Sequence, residues 1–457
     1  MSRFKRNRSS GKRILLTLLL FLVVGGGASV FILFFEGKPP EISFQGTPHF
    51  MGQKSVVKYQ VSDQGSGLRA VQIYGIQGQT KKLLTGEQFP RKGSTGSVGP
   101  LRIERELQFE PVKSGFKDGE LIFEVVATDF SMRSWFAGNS RTVHQTVTID
   151  TIPPHIQILH SESYISPGGT GIAIYRLSDP SSIHGVDING HFNPGFPLGD
   201  GREDTFITYF ALPYDAQQID QLDVRATDEA GNSSVVAFET NLKNAVQRKD
   251  TINVGDGFLQ TKIPEFQQYY PEMTGEFIDR YLYANGKIRV ENNTKISELC
   301  NNPSPERFWK GDFARMPGSP RAGFADHRTY FYQGKPVDHQ VHLGADIAST
   351  RRANVRAANS GKVIFADYMG IYGNMIMIDH GQGVFSLYSH LSQFNVAVGD
   401  MVDKKTIIGL TGTTGMAGGD HLHFSVLING VFANPKEWWD PHWIEVTIED
   451  PITDSKF

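Results

Sequence analysis

Three short stretches carry the side chains with which a protein holds zinc and moves protons: Val341-His-Leu-Gly-Ala-Asp-Ile347, with His342 and Asp346; Tyr388-Ser-His390; and His421-Leu-His423. A zinc ion that hydrolyses an amide needs about three nitrogen or oxygen ligands and an open position for water. Two imidazoles and a carboxylate drawn from this set meet that need, with imidazoles left over for proton transfer. Half of the chain's 14 histidines fall between His339 and His442, so the enrichment is local. His421 and His423 sit two apart in an apolar stretch, and the period of a strand points both at one face. Phe424, Val426 and Ile428 follow; imidazoles beside such neighbours need polar partners, which a metal and its water supply. His342 and Asp346 are four apart, but Gly344 and the following Ile347-Ala348 disfavour a helix. A strand end turning through Leu343-Gly344 brings both side chains to one point.

The elements that must position these groups read as strands. Val363-Ile-Phe-Ala366, Met375-Ile-Met-Ile-Asp379, Val384 to His390, Thr406 to Leu410 and His421 to Ile428 are strand-like, with glycine-containing turns between them. No amphipathic helix interrupts them before Pro435, which predicts a mostly antiparallel sheet. His380 is expected in a hairpin turn, and His327 and His339 in the loop leading to the site. The glycine-rich stretch Gly412 to Gly419 lacks the Lys-Ser/Thr ending of a phosphate loop and is expected to form a mobile wall beside a groove. No HExxH occurs, which removes the common helical zinc proteases.

With these residues in view, the domain resembles the lysostaphin/LytM-type zinc metallopeptidases, which cut peptide bonds in bacterial peptidoglycan. The matching residues are His342-Leu-Gly-Ala-Asp346-Ile-Ala, Gly361-Lys-Val, Ile378-Asp-His-Gly381, Tyr388-Ser-His390-Leu-Ser, Val398-Gly399-Asp, and Gly409 to Gly415 leading to His421-Leu-His423-Phe and Asn434-Pro435. The resemblance implies that His342, Asp346 and His423 hold Zn2+. It implies that His390 and His421 flank the metal's water, one as general base and the other steadying the oxyanion. Ser425 stands where relatives often carry Glu, a departure expected to touch strand packing or substrate preference more than zinc. Because free histidine titrates near ~6.5, activity is expected to fall below about pH 6.

At 457 residues the chain is long enough for about three domains of ordinary size. The formal charge of -3 and the lack of a basic domain argue against nucleic acid as a partner. The single Cys300 excludes an intramolecular disulfide and multi-cysteine zinc sites. Arg3, Lys5, Arg6, Arg8, Lys12 and Arg13 precede an uncharged run from Ile14 to Phe35, long enough at ~1.5 Å per residue to cross a core of about 30 Å. Basic residues stay cytoplasmic, which predicts a single-pass anchor in the cytoplasmic membrane and an extracytoplasmic catalytic domain. A cleaved signal peptide ending near Gly26-Gly27-Ala28 is the rival reading; against it, apolar residues resume at Val30 and run on past a typical h-region.

Between the anchor and about residue 245 the sequence repeats. Pro39-Pro40-Glu-Ile-Ser-Phe44 returns as Pro153-Pro154-His-Ile-Gln-Ile158, and Phe123-Glu-Val-Val-Ala-Thr-Asp129 as Leu222-Asp-Val-Arg-Ala-Thr-Asp228. Alternating short strands and frequent turns read as two β-sandwiches, similar to bacterial immunoglobulin-like modules, which would serve as a stalk and offer surfaces to envelope protein partners. His184 and His191 are expected to be ordinary loop residues. The fold expected is mainly β: a basic cytoplasmic segment (1–13), a transmembrane helix (14–35), Ig-like sandwiches (38–151 and 152–246), a connector with short helices interrupted at Pro271 and turn-rich from Glu291 (247–307), a zinc peptidase domain (308–443) and a tail (444–457). The function expected is a zinc endopeptidase acting on peptidoglycan. The competing reading is a catalytically silent scaffold or activator of another wall hydrolase.

Overall fold

The computed structural model describes residues 9–34, 36–93, 96–199, 201–244 and 248–455. Arg3, Lys5, Arg6, Arg8 and Phe35 of the expected anchor region lie outside the described residues, as do residues 245–247 and 456–457. The chain is mainly β and divides into two compact units, one of residues 1–153 with 229–232, the other of 154–228 with 233–457.

The first unit begins with the helix Ser9–Phe34, whose segment Lys12–Ser29 is long and apolar enough to cross a membrane. Two sheets follow. One holds the antiparallel strands Glu41–Phe44, Ser55–Ser62 and Arg102–Phe109; the other has five strands, with Gly119–Asp129 and Leu68–Gln77 at its centre. Alternation decides the facing: Val57, Tyr59 and Val61 pack with Leu121, Phe123, Val125 and Ala127 between the sheets, while Lys58 is exposed.

The second unit starts with another two-sheet sandwich of four strands each. Its strands Thr170–Leu177 and Thr205–Ala211 are buried on both faces. Ala173, Tyr175, Phe206 and Phe210 fill the sandwich itself. The opposite face, with Ile172, Ile174, Ile207 and Tyr209, packs into one core with Trp309, Phe313 and Trp438 of the C-terminal domain. That double burial explains why both strands read as nearly unbroken apolar runs. Trp438 Nε1 donates to Thr170 Oγ1 at 3.2 Å, and Thr170 N donates to Glu437 Oε2 at 2.9 Å.

The C-terminal domain is built on an eight-stranded sheet, antiparallel throughout, in which Ala345–Ala348, Leu422–Ile428 and Val384–Leu391 are neighbours. The connector contributes the strand Lys249–Asn253, parallel to Asp326–Tyr332, and the helices Asp256–Tyr269, Phe277–Tyr283 and Arg289–Leu299. Several local expectations need correction. Glu291 to Leu299 is helical, held by Asn292 and Ile296, which are buried. Residues 444–454 are helical, with Ile444 and Ile448 in the core. His184 and His191 lie in strands, and His184 is buried against Tyr175 Oη at 2.7 Å. His327, His339 and His380 are also in strands; His380 is buried, its ring nitrogens 2.7 Å from Ser360 O and from Ser386 Oγ. His184 and His380 face a core because hydrogen bonds satisfy their ring nitrogens.

Two outcomes are expected. Trp438→Ala removes the indole that joins sandwich and sheet and should cost about 3–5 kcal/mol, read by denaturant unfolding; a sandwich transition left unchanged would contradict the shared core. Burial raises Glu437 from its ordinary 4.5 to about 7. The folded state then binds more protons than the unfolded chain between those values, so this group's stabilisation is full below 4.5 and is lost as pH rises through about 7. Glu437→Gln should flatten that part of the stability profile; an unchanged slope would contradict it.

Candidate metal centre

The strand Lys335–His342 ends at His342, and the chain reverses through Leu343-Gly344 into Ala345–Ala348. Gly344 is required by packing: a Cβ there would meet Phe424 O at 2.6 Å and Ser425 Oγ at 2.6 Å. Asp346 then stands directly opposite His423 in the antiparallel register. His342 Nε2 lies 2.9 Å from His423 Nδ1 and 3.0 Å from Asp346 Oδ1, and His423 Nδ1 lies 3.0 Å from the same Oδ1. All three side chains are buried.

The outer edges of both rings fix where their protons are. His342 Nδ1–H donates to Gly323 O at 2.7 Å. Ser425 Oγ donates to Leu343 O at 2.7 Å, so toward His423 Nε2, 3.1 Å away, it is left as an acceptor for that ring's N–H. In the neutral rings, His342 Nε2 and His423 Nδ1 therefore both present lone pairs to a carboxylate oxygen. Three lone pairs in contact without a proton repel one another, and a cation relieves this. The donor set fits Zn2+, which at about 2.0–2.1 Å from each ligand in tetrahedral array spaces them ~3.3 Å apart. Burial alone would raise the Asp346 carboxyl, but His342, followed by the neighbouring His421 and His423, holds it well below 3.8. Its second oxygen, Oδ2, accepts from Arg328 Nη2 at 3.1 Å. Burial lowers His423 to about 4.

Two more imidazoles close the site. His390 Nδ1–H donates to Thr414 O at 2.9 Å, leaving Nε2 as an acceptor. His390, one residue before the end of its strand, has φ +62, a left-handed conformation that costs a non-glycine residue about 1–3 kcal/mol and is held at functional sites by surrounding structure. Burial, then His421 and His423, lowers it well below 6.5. His421 Nδ1–H donates to Gly419 O at 2.8 Å, and its Nε2 lies 3.6 Å from Asp346 Oδ1. Burial opposes protonation of His421, but Asp346 outweighs it and raises the imidazole. The rings of His390 and His421 are 4.8 Å apart, centre to centre. A cavity of about 510 Å³ opens onto all five side chains.

All five residues singled out from sequence thus meet in one place. His339 does not: it is exposed and lies against Thr329 Oγ1 at 3.2 Å. The role of one supporting residue, and another residue altogether, escaped the sequence reading. Ser425, expected to affect packing or preference, touches the His423 ring; it sits two residues along the same strand face, so the period of two could have found it. Arg328 comes from a separate hairpin and carries no local signal.

Residues 340–435 match Peptidase family M23, and the C-terminal domain is a peptidase M23 domain. The chain is 42% identical over 106 residues to the DD-carboxypeptidase/endopeptidase Mpg of Neisseria meningitidis serogroup B, covering 23% of this chain and 24% of that protein. It is 34% identical over 95 residues to the murein hydrolase activator EnvC of Escherichia coli K12, covering 21% and 23%. Among solved structures, lysostaphin from Staphylococcus simulans aligns at 27% identity over 28% of this chain and 53% of that chain, with a TM-score of 0.24. The chain spans about a quarter of the length of the curated relatives it matches.

Ser425→Ala is expected to weaken Zn2+ binding by about 10- to 100-fold, the usual effect of removing a hydrogen-bond partner of a liganding histidine. Competition with a chromophoric chelator measures it; an unchanged affinity would detach Ser425 from the metal.

Proposed function

We propose that this chain is a membrane-anchored zinc endopeptidase that hydrolyses peptide bonds in peptidoglycan, with the peptidase domain on the outer side of the cytoplasmic membrane. The reading rests on one observation above others: His342, Asp346 and His423 turn three unprotonated donor atoms toward one point, beside two further imidazoles in an open cavity. The apolar helix supports the anchor, and the M23 match supports the substrate class. In this reading the chain comprises the anchor, two sandwiches, the connector and the peptidase domain.

His342, Asp346 and His423 would hold Zn2+, which when bound supplies Lewis acidity toward a peptide carbonyl and a reactive water at neutral pH. His390 receives the proton of the attacking water at Nε2, because its other nitrogen is tied to Thr414 O. His421, favoured in its protonated form by Asp346, donates from Nε2 to the developing oxyanion and then to the departing amine.

The test is digestion of purified peptidoglycan by the zinc-loaded protein, with release of fragments analysed by mass. His342→Ala should lose both metal and cleavage, and His390→Ala should keep the metal and lose cleavage by about 100-fold or more. Cleavage retained in both variants would overturn the assignment, and stimulation of a second hydrolase without cleavage would favour the activator reading that the likeness to EnvC raises. The pH profile tests the roles. His390 is lowered below 6.5, so its acceptor form persists to lower pH than a free imidazole and the acid limb should lie below the pH 6 expected from free histidine. An acid limb at 6.5 or above would contradict His390 as the buried acceptor.

A further inference from the structure

The cavity that holds the five site residues is also lined by three arginines, Arg289, Arg321 and Arg328. Arg328 is neutralised: it donates to Asp346 at 3.1 Å and lies 3.8 Å from Asp250. The other two differ. Among the described residues, no carboxylate lies within ion-pair distance of Arg289 or Arg321. Arg289, half-buried on the connector, donates from Nε and Nη2 only to the neutral acceptors Asn285 O and Oδ1. A guanidinium has five N–H donors, so the Nη1 edge of Arg289 is left without a protein acceptor. Arg321 is exposed, at the strand Ser319–Ala322 beside Ala345–Ala348.

Counting the cavity's formal charges, Asp346 and Asp250 face Arg328 and the metal position, and nothing answers the other two cations. A low-dielectric cleft with two unanswered guanidinium groups attracts an anion, and the planar fork of Arg suits a carboxylate. Resting on the peptidase reading, we propose that Arg289 and Arg321 form a carboxylate-binding subsite, so that the preferred substrate is a peptide bearing a free carboxylate close to the scissile bond. Both arginines lie outside the stretch matched to the M23 family, residues 340–435. The connector and an edge strand of the domain's own sheet thereby add selectivity to a shared catalytic core. Neither arginine touches the reacting atoms; their part is to hold the substrate.

The experiment compares a synthetic crosslinked stem-peptide dimer with all carboxyls free against the same dimer with its carboxyls amidated. Binding to the zinc-loaded full chain in detergent is measured by calorimetry, and cleavage is followed in parallel. The free acid should bind about tenfold or more tightly than the amide, as expected for charge-assisted hydrogen bonds. That preference should shrink to about threefold or less in Arg289→Gln and in Arg321→Gln and should weaken with added salt. Because Arg321 is exposed, its variant remains informative even where Arg289→Gln disturbs the connector. Equal affinity for acid and amide, or a preference unchanged in both variants, overturns the proposal. Carboxylate-selective binding without cleavage would uphold the subsite while contradicting the peptidase reading.

Discussion

Three donor atoms within 3.0 Å of one another, two from imidazoles and one from a carboxylate, are the constraint on which the site depends. Each ring directs its single neutral-form proton outward, to Gly323 O and to Ser425 Oγ, so no proton is left to separate the lone pairs. A divalent cation resolves this arrangement, and the fold is organised to preserve it. Antiparallel register sets Asp346 across from His423, and the Gly344 turn swings His342 over both. His342, followed by His421 and His423, keeps Asp346 ionised despite burial, and Arg328 Nη2 donates to its second oxygen.

The surroundings are built by segments beyond the residues matched to the M23 family. Connector helix Asp256–Tyr269 reaches the loop after Leu410: Lys262 Nζ donates to Thr413 O, and Gly415 N donates to Glu265 Oε1 at 2.6 Å. Between these contacts lies Thr414, whose carbonyl fixes the His390 tautomer. That loop is therefore braced, where its glycines had pointed to a mobile wall. Behind the sheet, the second sandwich lends Ile172, Ile174, Ile207 and Tyr209 to the C-terminal domain's core. A sandwich that completes the core of the M23 domain does more than act as a spacer.

The parts legible in sequence were those with short-range periodicity. His421 and His423 on one strand face, the apolar N-terminal run and the antiparallel strands could all be read from spacing. The runs Gly171-Ile-Ala-Ile-Tyr175 and Phe206-Ile-Thr-Tyr-Phe210 are buried on both faces where the repeats read as alternating strands, because the cover of the outer face depends on pairing between distant segments. The helix Arg289–Leu299 was missed for a local reason: with only Asn292 and Ile296 buried, it lacks an apolar stripe. Arg328 is invisible in the same sense, since its relation to Asp346 exists only once two separate strands are aligned.

X-ray absorption at the zinc edge on the metal-loaded protein addresses the central claim most directly. The geometry predicts one zinc per chain in a shell of two imidazole nitrogens and oxygen, at about 2.0–2.1 Å, with the imidazole count falling to one in His423→Ala. A shell with no imidazole scattering, or one unchanged by that substitution, would contradict the convergence of these side chains on a single ion.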